Sequence, residues 1–206
     1  MDCAFCAEFT TPGANRIILE EESWVLLPTI GCFVPGYCLF MPLDHVEATA
    51  DLSPSSLRQV ASAVERRRTL VESRFGPTVV AEHGARNCDL GAACCTHCHL
   101  HLIPIPEPDA VVEAYRRIGG DGRRVDGLCA MPGAATGPYL YLSPRPGEHL
   151  LWAADDRFPR QFVRRVTARL HGLADRYDWR DHPFPRTQQE TLRLLRAETG
   201  PAAGAR

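Results

Sequence analysis

The chain has 206 residues, of which 45% are hydrophobic; this is enough to bury one sizeable core with room for an extension, and it excludes a disordered or fibrous protein. A formal net charge of -2 at pH 7 excludes the overall basic surface that drives general nucleic-acid binding. All 23 basic residues are arginine, which excludes mechanisms that need a lysine nucleophile, a lysine Schiff base or a P-loop lysine.

An uncharged stretch near the N-terminus, residues 24–43, is about as long as a membrane-spanning helix. Pro28, Pro35 and Pro42 argue against such a helix, because short strands separated by turns tolerate prolines at their ends and a helix does not. No basic region precedes an apolar core at the N-terminus, so we predict no secretory signal. We therefore expect no membrane association and a cytoplasmic, reducing setting, where the nine cysteines are thiols or metal ligands.

The first half of the chain predicts buried strands with one long helix among them. The strands are predicted at residues 24–27, 37–41, 78–81 and 98–103, where apolar residues run together. The helix has Ser53 as its cap, Pro54 in its first turn and Gly76 as its stop, as helix ends prefer. Between these ends, apolar residues recur at helical spacing: Leu57, Val60, Ala61, Val64 and Val71.

The second half predicts a loop and then helices. Glycine-rich residues 119–138 indicate a loop or linker. A helix is predicted from Pro159 to near Gly172, and another from Thr187, which has capping-box spacing to Glu190. The inward-facing residues of the first of these helices are predicted to be Phe162, Val163, Val166 and Leu170.

This order of elements, strands and a helix followed by a mostly helical tail, predicts an α+β fold rather than a parallel nucleotide-binding sheet. We divide the chain into a domain over residues 1–118, the loop 119–138, and an extension over 139–206 that packs on the domain.

The most informative segment carries three histidines at alternate positions, His97, His99 and His101, with Cys98 and Leu100 between them. Side chains alternate faces along a strand, so the three imidazoles share one face, roughly 6.6 Å apart from one to the next. Core packing does not explain three imidazoles in register. The chemistry is therefore either a metal chelate or a histidine nucleophile with supporting histidines, since a neutral imidazole suits both tasks.

The histidine pattern and the two apolar residues after it resemble the signature of the histidine-triad family of nucleotidyl hydrolases and transferases. Cys-Ala-Phe-Cys at residues 3–6 resembles the family's N-terminal knuckle. Residues 35–45 resemble its Pro-Gly-His-x-Leu…Pro-x-x-His block, and Glu-His-Gly at residues 82–84 resembles the segment before its active-site loop. This resemblance covers about residues 1–106, while residues 158–180 are similar to the C-terminal domain of CwfJ-like proteins.

The resemblance implies an antiparallel sheet with a flanking helix and a covalent nucleotidyl-histidine on His99, which splits the reaction into two displacements. His101 would stabilise charge on the phosphate and assist the leaving group. Members with histidine at that place resemble hydrolases, and those with glutamine resemble transferases. We therefore expect a hydrolase whose substrate is a nucleoside 5'-phosphate derivative.

Four further residues are candidates for contact with the substrate. Asn87 precedes residues 91–95, a turn that we expect to bind phosphate. Cys94 stands where many relatives have a serine five residues before the nucleophile. Backbone N–H groups of residues 91–95 would hold phosphate oxygens. Gln161 and Arg164 could place donors beside a nucleotide, since guanidinium matches phosphate geometry, although Arg164 would equally suit a solvated helix face.

Cys3 and Cys6 form a pair with the spacing of thiolate ligands and need two more ligands to close a tetrahedral zinc site. The resemblance implies His45 and His97 as these ligands, with a structural Zn²⁺ that supports His99 without touching substrate. The alternatives are a redox pair or free thiols at residues 3 and 6, or a thiolate set formed by the cysteines at 94, 95 and 98.

Three other functions remain open. The fold could carry a nucleotidyl transferase or phosphorylase, or a catalytically silent module that binds RNA or a protein partner. A mononuclear metallo-hydrolase could use all three histidines, but its pattern would place an aspartate where Leu102 stands. Many relatives form dimers, so a homodimer is also open.

Overall fold

The centre of the molecule is a single sheet whose paired neighbours are all antiparallel. The computed structural model describes residues 3–11, 16–21, 23–84 and 97–199. The strands are β1 Leu19–Glu21, β2 Trp24–Pro28, β3 Cys38–Pro42, β4 Thr78–Gly84, β5 Leu100–Pro104, β6 Arg123–Arg124, β7 Tyr139–Ser143 and β8 Leu150–Ala153. Across the sheet they lie in the order β1-β2-β3-β5-β4-β7-β8-β6.

Helices cover both faces of this sheet. They are α1 Ala4–Thr10, α2 Pro54–Phe75, α3 Pro108–Gly119, α4 Met131–Ala134, α5 Phe162–Leu170 and α6 Pro185–Thr199. One buried cluster contains apolar residues of α3 and α5, and the other contains those of α2 and α6. The α+β prediction, with an antiparallel sheet, is confirmed.

The uncharged stretch 24–43 forms β2, β3 and the turn between them. Leu27 pairs with Leu39 in the middle of this ladder, while Pro28 and Pro42 lie at strand ends, where a missing N–H is tolerated. No helix in the described ranges has both the length and the apolar character needed to cross a bilayer.

The long helix α2 begins and ends at the predicted residues. Ser53 Oγ accepts a hydrogen bond from the Ser56 N–H at 3.1 Å, and Gly76 follows the last turn with φ +89°, a conformation that glycine adopts without strain. Leu57, Val60 and Val64 are buried. Local capping and periodicity therefore determine this helix.

Three details of the C-terminal helices were predicted wrongly. Helix α5 begins at Phe162 rather than at Pro159, because Gln161 has a left-handed backbone with φ 57°, and Leu170 at its end is 41% exposed instead of inward-facing. Helix α6 begins at Pro185, whose ring suits a first turn. Thr187 is therefore inside the helix and does not cap it.

The chain after residue 118 also contributes strands, which the sequence analysis did not place. Strand β7 pairs with β4, with His83 opposite Leu140, so the extension continues the same sheet. Every residue of β7 is buried, which removes the alternation that identifies a half-exposed strand. Segment 119–138, expected to be a loop, contains β6 and α4 and buries Leu128 and Met131.

Candidate active site and metal centre

Strand β5 and the residues just before it bring the triad histidines together on one side of the sheet. The His99 and His101 rings lie 4.7 Å apart between centroids and are 8% and 6% exposed. Leu100, between them, packs in the cluster of α2 on the other side. The strand itself begins at Leu100, so His97 and His99 lie directly ahead of it.

The orientation of His99 is set by its own backbone neighbour. Its Nδ1 lies 2.6 Å from the carbonyl oxygen of His97. A carbonyl only accepts hydrogen bonds, so Nδ1 carries the proton and donates it. In the neutral form of the ring the lone pair is then on Nε2, the nitrogen that can act as a nucleophile.

Tyr37 contacts His101, and sequence reasoning did not identify it as a site residue. The Tyr37 hydroxyl lies 2.8 Å from His101 Nδ1, and both groups are buried. Burial, together with the charges of His99, Arg164 and His83, holds the pKa of His101 well below its usual range, so this imidazole is neutral near pH 7. The available signal was that Tyr37 occupies the histidine position of the Pro-Gly-His block.

A fourth histidine, His83, lies beside His99. Glu82 of β4 pairs with Leu100 of β5, which places His83 next to His99 on the adjacent strand. Burial, followed by the charge of His99, lowers the pKa of His83 to about 3. Among the described residues, neither ring nitrogen of His83 has a hydrogen-bond partner.

A buried carboxyl lies on the opposite side of the sheet from the triad. Glu82 accepts hydrogen bonds from the Thr49 N–H at 2.8 Å and from the Tyr139 hydroxyl at 2.7 Å. Burial raises its pKa. These bonds fix the short helical turn that begins at Thr49 against the centre of the sheet, four residues after His45.

The predicted metal ligands converge on one point. One ligand atom from each of Cys3, Cys6, His45 and His97 lies within 4.8 Å of the others. Cys3 Sγ is 3.5 Å from His97 Nδ1, and Cys6 Sγ is 3.5 Å from His45 Nδ1. A tetrahedral zinc with ordinary Zn–S and Zn–N bonds separates sulfur from nitrogen by about 3.5 Å. Donor type and spacing both fit.

The orientation of the His97 ring also suits a metal ligand. Its Nε2 lies 2.8 Å from the Pro42 carbonyl oxygen, so Nε2–H donates and the unprotonated Nδ1 faces the cysteines. The carbonyl of the same residue holds His99. His97 thus connects the candidate metal site to the candidate active site.

Helix α1 places an aromatic ring against the triad. The Phe5 ring centroid lies 5.7 Å from that of His97 and 5.8 Å from that of His99. Arg16 pairs with Glu8 at the other end of the helix. Since Phe5 lies between Cys3 and Cys6 in sequence, the candidate metal site and the surroundings of His99 depend on the same short helix.

The four predicted substrate contacts have different outcomes. Asn87, Cys94 and the turn at residues 91–95 lie outside the described residues. Gln161 is buried at the start of α5. The Arg164 guanidinium donates to the carbonyl oxygens of Gly31 at 2.6 Å and Tyr177 at 2.7 Å, so its donors are engaged by backbone and it is not a solvated helix face.

The sequence of the chain is similar to those of several known proteins. Residues 13–107 match the family model described as HIT domain. The chain is 22% identical over 205 residues to CWF19-like protein 1 of Xenopus laevis, covering 92% of this chain and 36% of that protein. It is 24% identical over 212 residues to zinc finger CCCH domain-containing protein 64 of Arabidopsis thaliana, covering 94% and 34%. The chain therefore spans about a third of the length of these curated relatives.

Two further similarities each cover about half of the chain. Galactose-1-phosphate uridylyltransferase of Rattus norvegicus is 27% identical over 95 residues, which are 45% of this chain and 25% of that protein. A solved structure of a HIT family member from Bacillus subtilis aligns with a TM-score of 0.44 and 20% identity, covering 50% of this chain and 73% of that one.

Proposed function

The chain belongs to the histidine-triad (HIT) superfamily, with its HIT domain at residues 13–107 and a CwfJ-like C-terminal segment, and we propose from this premise that it is a nucleotide hydrolase. The substrate is a nucleoside 5'-phosphate derivative, in which the phosphorus carries a phosphoanhydride, phosphoramidate or phosphoester leaving group. Hydrolysis proceeds through a covalent nucleotidyl-histidine on His99.

The observation that carries this proposal is the orientation of His99. Its Nδ1–H is held by the His97 carbonyl at 2.6 Å, which leaves the Nε2 lone pair to attack phosphorus. As the Nε2–P bond forms, the bond to the leaving group breaks, and the ring becomes cationic. The Nδ1–H hydrogen bond strengthens with that charge. Water then cleaves the Nε2–P bond, which releases the nucleoside 5'-monophosphate and restores the neutral ring.

We assign His101 to the charge that develops on the phosphate. Its ring is adjacent to that of His99, and a neutral imidazole N–H there can donate to a phosphate oxygen in the transition state. The partner that we propose is the nucleotide substrate, without membrane association or general nucleic-acid binding.

We propose that the ion held by Cys3, Cys6, His45 and His97 is Zn²⁺. The mixed nitrogen and sulfur donors favour zinc, and four protein ligands leave no open coordination position. When bound, the ion supplies structural cross-linking of α1, the end of β3 and the triad segment. Thiolate ligands require a reducing setting, which is consistent with a cytoplasmic protein.

The second candidate is nucleotidyl transfer on the same fold. It is favoured by the similarity to galactose-1-phosphate uridylyltransferase over 95 residues. In that case, phosphate or another acceptor would resolve the nucleotidyl-His99 intermediate in place of water. His101 favours the hydrolase, because the resemblance associates histidine at this position with hydrolysis.

Turnover of a nucleotide panel tests the proposal. The panel contains dinucleoside polyphosphates, nucleoside phosphoramidates and nucleotide sugars, each incubated with and without phosphate and resolved by liquid chromatography. We expect release of a nucleoside 5'-monophosphate by the wild type and by His182→Ala, a control in the extension, with at least a thousandfold loss in His99→Ala. Absence of turnover across the panel would instead indicate a silent binding module.

A further inference from the structure

We propose that the C-terminal extension takes part in catalysis through Tyr37: Arg164 and Thr191 hold the turn at residues 29–37 so that the Tyr37 hydroxyl fixes the tautomer of His101. Tyr37 is then a positioning residue, and the extension is part of the catalytic machinery rather than an appended segment. The inference deepens, and rests on, the proposed roles of His99 and His101.

The contact between Tyr37 and His101 determines where the single proton of a neutral imidazole lies. The phenol oxygen is 2.8 Å from His101 Nδ1. A phenol is a good hydrogen-bond donor and the unprotonated ring nitrogen is a good acceptor, so Tyr37 donates and the ring proton moves to Nε2. His101 then presents Nε2–H, the donor that a phosphate oxygen requires.

His99 has the opposite tautomer. Its Nδ1–H donates to the His97 carbonyl, which puts the lone pair of the neutral ring on Nε2. Two rings 4.7 Å apart thus offer a lone pair and a proton, respectively. Because the tautomer of each ring is set by the partner of its Nδ1, loss of the Tyr37 donor would leave His101 free to place its proton on either nitrogen.

Arg164 of α5 packs against the ring of Tyr37. Its guanidinium carbon lies 5.3 Å from the centroid of the Tyr37 ring, within the range of a cation–π contact. The same group donates to Gly31 O at 2.6 Å and to Tyr177 O at 2.7 Å. Gly31 permits this approach, because its φ is +71° and a Cβ there would lie 2.5 Å from Arg164 Nη2.

Helix α6 holds the other end of the same turn. The Gly36 N–H, adjacent to Tyr37 in sequence, donates to Thr191 Oγ1 at 2.9 Å. Thr191 is fully buried. Gln188, one turn earlier in the helix, donates from Nε2 to Thr29 O at 3.1 Å. The extension therefore fixes the backbone on both sides of the segment that delivers the phenol.

The test reads the tautomer directly. The full-length protein is labelled with ¹⁵N-histidine, and long-range ¹H–¹⁵N spectra of the substrate-free protein distinguish Nε2–H from Nδ1–H rings; His101→Gln assigns the His101 signals. We expect an Nε2–H ring at His101 in the wild type and a shift toward Nδ1–H in Tyr37→Phe. Tyr115→Phe is the matched control, since Tyr115 is a buried phenol of the same cluster whose hydroxyl has no partner among the described residues.

A second pair of variants tests the extension without touching the phenol. Thr191→Val removes the acceptor for the Gly36 N–H at nearly constant volume, and Thr191→Ser retains it. We expect the His101 signals to shift in Thr191→Val and to stay in place in Thr191→Ser. With substrate, Tyr37→Phe should lower kcat about tenfold or more while KM changes less than about twofold.

The outcomes separate this inference from the proposed function. An Nε2–H ring at His101 that persists in both Tyr37→Phe and Thr191→Val overturns the inference, whether or not the wild type turns over nucleotides. If Tyr37→Phe does not fold, the Thr191 pair decides. A tautomer shift in a protein without turnover would support the positioning network while contradicting the hydrolase.

Discussion

His97 is the residue at which the candidate metal ligands meet His99, the proposed nucleophile. Its ring gives Nδ1 to the cluster with Cys3 and Cys6 and its Nε2–H to Pro42 O, while its carbonyl holds His99. A ring fixed at both nitrogens also fixes the backbone that carries it. A metal bound there would act on the proposed chemistry through position alone, from a ligand two residues before His99.

The metal assignment predicts a loss of bound zinc on removal of the thiols. The double variant Cys3→Ser, Cys6→Ser, purified without chelator, should fall from about one zinc per chain to near zero, because two ligands cannot retain a structural ion. Elemental analysis by mass spectrometry measures the content. Cys129→Ser is the control, as Cys129 is an exposed cysteine outside the cluster. Zinc retained by the double variant would refute the ligand set.

His83 makes stability depend on pH in a defined direction. Its pKa is lowered to about 3 by burial, so below an unfolded pKa of about 6.5 the unfolded chain takes up a proton that the folded chain does not. Stability is thus lost as pH falls from 6.5 toward 3, by about 1.4 kcal/mol per pH unit from this group. His83→Asn should remove that share.

Urea unfolding at pH 7.5 and pH 5 provides the comparison. Wild type should lose more unfolding free energy between the two values than His83→Asn does, since the variant lacks both the titration of His83 and the charge by which His83 lowers the pKa of His101. Equal losses of unfolding free energy in the two proteins would show that the pKa of His83 is the same in the folded and unfolded states, as for a solvent-exposed imidazole.

At this scale, the sequence predicts what local spacing encodes. The alternating triad histidines can be found because they lie within five consecutive residues, and the cysteine pair can be found because its members are three positions apart. Tyr37 and Glu82 could not be assigned roles, because their partners, His101 and Tyr139, are separated from them by 64 and 57 residues and meet only through strand register.

Among the elements, helices with local signals were predictable and those fixed by distant contacts were not. Helix α2 has its cap and its stop in its own sequence. Helix α5 begins where Gln161 adopts a left-handed backbone, and β7 is buried on both faces. Neither feature has a periodic pattern in the sequence, so their bounds follow from packing against the rest of the sheet.

Two glycines that both have a positive φ test how closely the extension packs on the 29–37 turn. Gly31 has φ +71°, and a Cβ would meet Arg164 and Trp179; Gly147 has φ +77°, and nothing lies within 4 Å of its Cβ position. Gly147→Ala should cost about 1 kcal/mol for backbone strain alone. Gly31→Ala should cost about 1–3 kcal/mol more, from overpacking.

Chemical denaturation of both glycine variants measures the difference. Equal destabilisation would mean that the turn yields to the added methyl group, and that Arg164 does not hold it rigidly. The Gly147→Ala variant controls for the backbone strain that any side chain experiences at positive φ.

As a whole molecule, the chain has one continuous sheet. Strands β7 and β8 follow β4, and α5 and α6 pack on the turn that carries Tyr37. The sequence order predicted an α+β fold, but the glycine-rich composition of 119–138 suggested a loop between the domain and an extension packed on it. Burial of Leu128 and Met131 and the pairing of β4 with β7 depend on long-range contacts that composition does not report.

This architecture predicts that the HIT domain does not fold without the extension. A chain that ends at residue 138 would lose β7 and uncover the buried edge of β4, which favours aggregation. Circular dichroism and ¹H–¹⁵N spectra should show no cooperative unfolding and little dispersion. A chain ending at residue 199 serves as the control and should behave as the full length does. Cooperative unfolding of the shorter chain would establish the extension as an independent appendage.

The most direct test of the central claim is the covalent intermediate itself. His101→Gln slows breakdown of the adduct if His101 assists that step, so this variant, mixed with a substrate found in the nucleotide panel and quenched in alkali, should carry one nucleotidyl group. Peptide mass spectrometry should locate the group on His99, and His99→Ala should show neither adduct nor turnover. Full turnover in His99→Ala, or an adduct located on another residue, would contradict the account.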